Sequence, residues 1–330
     1  MSNYPVIGKA QRWSRRQLLQ LGLAGAGIAS SAIALQTLTQ KTTPVRVPPL
    51  PSHTDTATNL NPMEIVRDFD YGTVKRENGR TIREFRMEAH TSTLQLNNAV
   101  TFNTWNVNNR VPGPTLRATQ GDRIRVIFLN QAGHSHSLHF HGIHPTAMDG
   151  VKPVRHGSAF IYEFDAEPYG VHLYHCHIAP VTRHIGKGLY GMFIIDPPKP
   201  RPPADELILI MGGYDVNEDK TNELYAFNGL PNYYMKHPIP IYQNQLIRLY
   251  VLNMIEYSAA VTFHIHANFF KVYRTGMTLT PSEETDVITM GVAERHILEF
   301  AYPYPGKYMF HPHQDEIAEA GCMGLFEVIT

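Results

Sequence analysis

Cysteine is almost absent from this chain. Only Cys176 and Cys322 occur among 330 residues, in unrelated contexts, so no disulfide is expected to staple the fold. Neither sign of charge prevails: 29 Lys and Arg balance 29 Asp and Glu, and a formal net charge of zero speaks against nucleic acid as an electrostatic partner. Stability must therefore come from cores, and the length allows two domains of ordinary size, each able to bury one. Against this background histidine is plentiful, at 18 residues, and clustered.

The clusters read His136-Ser-Leu-His139-Phe-His141, then His175-Cys176-His177 followed by His184, then His264-Ile-His266 and His311-Pro-His313. Successive side chains on a strand point to opposite faces. His139 and His141 therefore share a face that His136 does not, and His175 and His177 share one with Cys176 behind them. Two metal sites back to back are implied. One would be made of Cys176, His136 and His184, two imidazoles and a thiolate, which is the ligand set of a blue-copper electron-transfer centre. The other would take the paired histidines. A single His-x-His pair can be no more than the polar face of a strand, but four pairs in two matched sets exceed that reading. Zinc in a closed structural site needs four ligands, and this many imidazoles beside a lone thiolate suits copper better.

An internal repeat carries the pairs. Gly121-Asp-Arg-Ile-Arg-Val-Ile-Phe-Leu-Asn130 precedes the first cluster as Asn244-Gln-Leu-Ile-Arg-Leu-Tyr-Val-Leu-Asn253 precedes the third, both alternating strand patterns. Gly188-Leu-Tyr-Gly-Met-Phe-Ile-Ile195 and Gly321-Cys-Met-Gly-Leu-Phe-Glu-Val328 follow the second and fourth pairs. Two homologous β domains are the economical explanation. In this alignment Cys176 is matched by Pro312 and His136 by Val261, so the second copy lacks the blue set. Cys322 falls opposite Leu189 and reads as a small buried residue.

These motifs resemble those of the two-domain multicopper oxidases, laccase-like relatives of the copper nitrite reductases, with the blue copper in the first domain. The resemblance spans about residues 80–330. It implies an all-β fold of two tandem cupredoxin-like Greek-key β-sandwich domains and four coppers per chain. His136, Cys176 and His184 would hold the blue copper. His139 and His264 would join the single copper of a trinuclear cluster, and His141, His175, His177, His266, His311 and His313 its copper pair. Parity and family pattern agree in making Cys176 the electron wire between the centres. The implied reaction couples four one-electron oxidations of a small reducing substrate to reduction of dioxygen to water. Each domain carries half a cluster, and by resemblance the halves meet between neighbouring subunits of a homotrimer.

Aligning His184 with the family's second blue-copper histidine puts Leu189 in the axial slot, where methionine often stands. Leucine cannot coordinate, so a three-ligand site of raised reduction potential is expected. Met192 is the rival, but it lies in the apolar run Met192-Phe-Ile-Ile and reads as core. Oxygen reduction consumes protons, and Asp149 matches the acidic residue that follows the first motif in the family. An ordinary Asp-Gly turn is its alternative reading. Glu316 and Glu319 are weaker candidates for the same task. His134, His144, His156, His172 and His296 read as non-ligands, with His144 the one to reconsider.

Three functions compete. A nitrite reductase uses a single catalytic copper with three histidines, which eight paired histidines oppose, and a copper carrier has no need of Cys176 between two of them. An oxygen-reducing oxidase uses every ligand. Its donor is expected to be a phenol, as in laccases, with Fe(II) or Cu(I) oxidation as the alternative; no methionine-rich segment suggests cuprous oxidation.

The organisation follows. Residues 204–330 are expected as the second domain and 66–198 as the first, joined by Pro197-Pro-Lys-Pro-Arg-Pro-Pro203, with 41–65 as a flexible lead-in. Residues 1–40 resemble a twin-arginine export signal: Ser14-Arg-Arg-Gln-Leu-Leu19 leads into an apolar run to Leu35, with Ala32-Ile-Ala34 as a cleavage site. A periplasmic or otherwise extracytoplasmic location is expected. A single membrane anchor is the alternative reading of the run, which is near the lower limit for spanning.

Overall fold

The computed structural model describes residues 61–330, so the export-signal reading and most of the expected lead-in lie outside the described residues. Four sheets stand in two pairs. One pair is drawn from residues 69–196. Its first sheet runs Phe69–Asp70, Thr115–Thr119, Tyr190–Asp196, Gly170–His175 and His139–Phe140. The second runs Thr73–Glu77, Arg80–Gln95, Arg123–Asn130 and Ala159–Asp165, with Thr101–Val107 paired to Arg80–Gln95. The other pair of sheets is drawn from residues 205–329.

The sequence repeat is a structural repeat. Arg123–Asn130 lies parallel to Arg80–Gln95 and antiparallel to Ala159–Asp165, as Ile247–Met254 lies parallel to Asp205–Tyr214 and antiparallel to Arg295–Phe300. The closing asparagine does the same work in both copies. Asn130 Oδ1 accepts from the Ala132 amide at 3.0 Å and Asn253 Oδ1 from the Ile255 amide at 3.0 Å, fixing the turn after each strand. Each copy forms a two-sheet β-sandwich around its own core. Phe85, Val126, Phe140 and Phe193 belong to the first core, and Leu249, Phe263, Phe310 and Phe326 to the second.

Some strands carry unbroken apolar runs, which a half-solvated antiparallel strand would not. The run 207–211 within Asp205–Tyr214 shows the cause. Leu207, Leu209 and Met211 enter the second core, while Ile208 and Ile210 point the other way into a third cluster shared with Val171, Leu173 and Met192 of the first half. Both faces of the strand are buried, one inside its own sandwich and one against the neighbouring half. The same alternation separates Phe193 and Ile195, in the first core with Cys176, from Met192 and Ile194, in the cluster between halves. Met192 therefore faces away from the cysteine.

The junction between the expected lead-in and the expected first domain packs on the second half. Pro62–Ile65 is a short helix capped by the Asn61 side chain, which accepts from the Met63 amide at 3.1 Å. Val66 packs into the second core, its carbonyl accepting from the Ile208 amide at 2.8 Å. Ile65 and Val66 are buried there, which holds this segment in place.

Arg117 ties the halves across the proline-rich linker. It is 7% exposed and grips Asp196 through two bonds of 2.8 and 2.9 Å and Glu206 through two of 2.6 and 3.1 Å. Removing one member of a buried, hydrogen-bonded charge network leaves its partners uncompensated. Arg117→Met is expected to destabilise the fold by about 3 kcal/mol, read as a lower denaturant midpoint. An unchanged midpoint would show that the network adds nothing.

Candidate metal centres

Three segments deliver the cysteine-centred set. His136 is fixed by a two-way backbone bridge to Val154, with bonds of 3.1 and 2.8 Å. Cys176 follows directly on Gly170–His175, its amide donating to the Leu189 carbonyl at 3.0 Å. His184 rides on the short helix Val181–Gly186. Cys176 Sγ stands 3.2 Å from His184 Nδ1 and 3.7 Å from His136 Nδ1, and the two nitrogens are 3.1 Å apart. An ion about 2 Å from each imidazole nitrogen and about 2.3 Å from the sulfur fits among atoms so spaced. Burial and the neighbouring rings push His136 down to about 3, and burial with His134 and Arg183 pushes His184 down to about 4. Both rings are thus neutral donors at physiological pH. Burial raises the Cys176 thiol, so a thiolate here calls for a cation beside it.

Leu189 is wholly buried and lies in the same core cluster as Cys176. It offers the triad no ligand atom. Cys322 is also fully buried, in the second core.

The two sets of paired histidines are built alike. His139 is the cross-strand partner of His175, as His264 is of His311. His141 Nε2 meets His175 Nε2 at 3.2 Å, and His266 Nε2 meets His311 Nε2 at 3.0 Å. Four of the rings are oriented from behind by a carbonyl: His139 by Asp149 at 3.1 Å and His264 by Asp286 at 2.7 Å, His175 by Cys176 at 2.9 Å and His311 by Pro312 at 2.7 Å. Such bonds fix the tautomer and leave the opposite nitrogen free to ligate. His139, His141 and His175 bring their ligand atoms within 4.8 Å of one another, and so do His264, His266 and His311. His177 and His313 complete the sets as exposed rings, 5.1 Å from His139 and 5.2 Å from His264 by ring centroid. Burial holds His141 down to about 3 and His175 down to about 4, again keeping the rings neutral.

The bond from His175 Nδ1 to the Cys176 carbonyl joins the first imidazole set to the cysteine-centred set through one stretch of backbone. Among the described residues no ring contact joins the first imidazole set to the second. Exposed apolar side chains follow closely in the chain or pair across strands with both sets, Ile143 and Val151 for the first and Phe269 and Val287 for the second.

Asp149 touches the first set. Its Oδ1 lies 3.1 Å from His139 Nδ1, and Gly150 lets its loop press in, since a Cβ at this φ of +73° would stand 2.3 Å from the Leu138 carbonyl oxygen. Glu316 and Glu319 are exposed on the helix Asp315–Glu319, and neither joins a group of metal-ligand atoms among the described residues. His144 Nε2 bonds the Phe140 carbonyl at 2.8 Å and stands 3.9 Å from Asp149, so it braces the loop. His156 and His172 bond backbone carbonyls at 2.9 and 2.8 Å.

Two neighbours of these sites escaped the sequence reading. Asp286, with its carboxylate 3.8 Å from His264 Nδ1, is the second set's counterpart of Asp149. Trp105 packs edge-on against the cysteine-centred set, its ring centroid 4.7 Å from that of His184 and 5.5 Å from that of His136.

Comparison with known proteins adds a family. Residues 88–200 and 201–330 each match a family profile described as multicopper oxidase. A crystal structure of a multicopper oxidase is 46% identical, with a TM-score of 0.81 over 82% of this chain and 98% of its own. A copper nitrite reductase from Nitrosomonas europaea, 24% identical, shares the fold with a TM-score of 0.70 over 76% of this chain and 94% of its own. The copper-containing nitrite reductase of Neisseria gonorrhoeae is 25% identical over 269 residues, 74% of this chain and 67% of its own length. Laccase-3 of Arabidopsis thaliana is 27% identical over 238 residues, 61% of this chain and 41% of its own.

Proposed function

Because the chain belongs to the multicopper oxidase family, we propose that it oxidises a phenol-type donor and reduces dioxygen to water, as a laccase-like enzyme with four coppers per chain. The observation that carries this reading is the duplicated imidazole set beside a single histidine–cysteine triad. One catalytic copper with three histidines would leave most of these rings without a task. The nitrite reductases among the relatives supply the second reading, since their chains align across both halves.

Copper held by His136, Cys176 and His184 would supply one-electron redox chemistry at one centre, and copper held by the paired histidines would supply oxygen reduction at the other. The chain's own residues do the positioning. Cys176 and its two flanking histidines link the centres through covalent bonds, the shortest route the fold offers. Leu189 and the surrounding core keep water from the triad. The Asp149 and Asp286 carbonyls hold His139 and His264 by Nδ1 and leave Nε2 to ligate, and the Asp149 carboxylate at 3.1 Å would pass a proton inward. Neither imidazole set touches the other within one chain, which supports a homotrimer in which the first set of one subunit meets the second set of its neighbour.

Copper content and oxygen uptake test the reading together. Four coppers per chain, with uptake driven by a phenol and unaffected by nitrite, is the expected result. Two coppers with nitrite consumption would make the chain a nitrite reductase, and uptake driven by Fe(II) but not by phenols would make it a metallo-oxidase.

A further inference from the structure

The two imidazoles of the cysteine-centred set are out of a donor's reach. His136 is 0% and His184 4% exposed. Trp105 is not: it is half-buried, on the opposite face of Thr101–Val107 from the buried Phe102, Thr104 and Asn106. Its ring touches both ligand imidazoles, so an aromatic molecule stacked on its outer edge is separated from them by one layer of indole. Electron tunnelling falls steeply with distance, and an indole packed against both ligand rings gives a short path to the triad.

What surrounds Trp105 selects the donor. Arg183, on the same short helix as His184, holds its guanidinium 5.5 Å from the Trp105 ring with its side chain 49% exposed. The exposed His134 ring lies 4.8 Å away on another side. Glu218 pairs with both Arg183 at 2.8 Å and Lys187 at 2.9 Å, so two cations share one carboxylate and positive charge is left over. The Arg183–Glu218 pair is exposed and weak, and Arg183 is free to exchange partners. The Arg183 guanidinium beside an indole suits a planar anion, which gains stacking and an ion pair.

We infer that Trp105 and Arg183 form the donor-binding surface and that it takes phenols bearing an anionic substituent. This rests on the phenol-oxidase reading above. In each of the four one-electron steps the phenol O–H bond would break: the proton would leave to water, the electron would cross the indole to copper(II) held by His136, Cys176 and His184, reducing it to copper(I), and a phenoxyl radical would depart. Trp105 is unchanged and acts as the bridge.

A matched pair of phenols tests this: 4-hydroxyphenylacetate and tyramine carry the same ring and opposite side-chain charge. The acid is expected to show a kcat/KM about tenfold higher, and Arg183→Gln to erase that preference. Trp105→Ala is expected to lower kcat/KM for both phenols by about tenfold with the blue absorption intact, and Trp105→Phe to restore part of it. A second readout needs no copper. The only other tryptophan is Trp13, so in the full-length Trp13→Phe protein indole emission reports Trp105 alone. The acid should change that emission saturably, with tyramine far weaker. Turnover of both phenols without charge preference, or emission unmoved by the acid, overturns the site and leaves the phenol-oxidase reading standing. Consumption of Fe(II) with neither phenol turned over overturns that reading, and the site with it.

Discussion

Cys176→Ser is expected to abolish the blue absorption and to cut phenol-driven oxygen uptake by more than about a hundredfold, since loss of a partner one shell further out already costs 10–100-fold. The serine is close to isosteric, and its hydroxyl can hydrogen-bond the His136 and His184 nitrogens that now stand 3.7 and 3.2 Å from the sulfur. The fold should therefore survive, with an unfolding midpoint near that of the parent. The copper count should fall by one while the paired histidines keep theirs, because His139, His175, His264 and His311 are oriented by backbone carbonyls rather than by the thiolate. Metal analysis, visible absorption and oxygen uptake on the same sample separate these effects. A variant that stays blue would remove Cys176 from the centre; one that turns over phenol normally would show that electrons reach the oxygen site by another path.

The ligand pattern was legible in the sequence because it is local. His-x-His spacing puts two rings on one face wherever the chain is extended, and Cys176 sits in the core apart from the paired rings even though it lies one residue past the strand Gly170–His175. The repeat added the pairing of sheets, since the alternation in Arg123–Asn130 and Ile247–Met254 allows one register with the core. Asp286 was not legible. Asp149 follows His139 by 10 residues, whereas Asp286 follows His264 by 22, so aligning the copies does not superpose them. Asp286 arrives by strand pairing instead: His264 lies opposite Val287, and the Asp286 carbonyl takes the Ile265 amide at 3.2 Å. Trp105 reaches the triad from a strand beside Arg80–Gln95, and its amide bonds the Lys187 carbonyl at 2.9 Å, a tertiary contact with no local signature. Met192 shows the opposite case, where reading the apolar run as core was enough to turn it away from the cysteine.

The separation of the two imidazole sets yields the other large effect. His177, His266 and His313 are exposed, and apolar Ile143, Val151, Phe269 and Val287 stand out near them. Exposed apolar surface around half-filled ligand sets is what a subunit contact would cover. If the oxygen site is completed between subunits, a chain lacking His139 and His141 and a chain lacking His264 and His266 should each be inactive alone. Co-expressed in equal amounts, they should recover activity. In a head-to-tail trimer each contact takes its first set from one chain and its second from another, so random assembly leaves about one quarter of contacts with both sets intact. Oxygen uptake near about one quarter of the parent value is expected, with the blue absorption undiminished in every sample because the triad is untouched. Co-expression that stays inactive would place the whole oxygen site within one chain. Either single variant retaining full activity would show that oxygen reduction does not need both sets, and the trinuclear reading would fall with it.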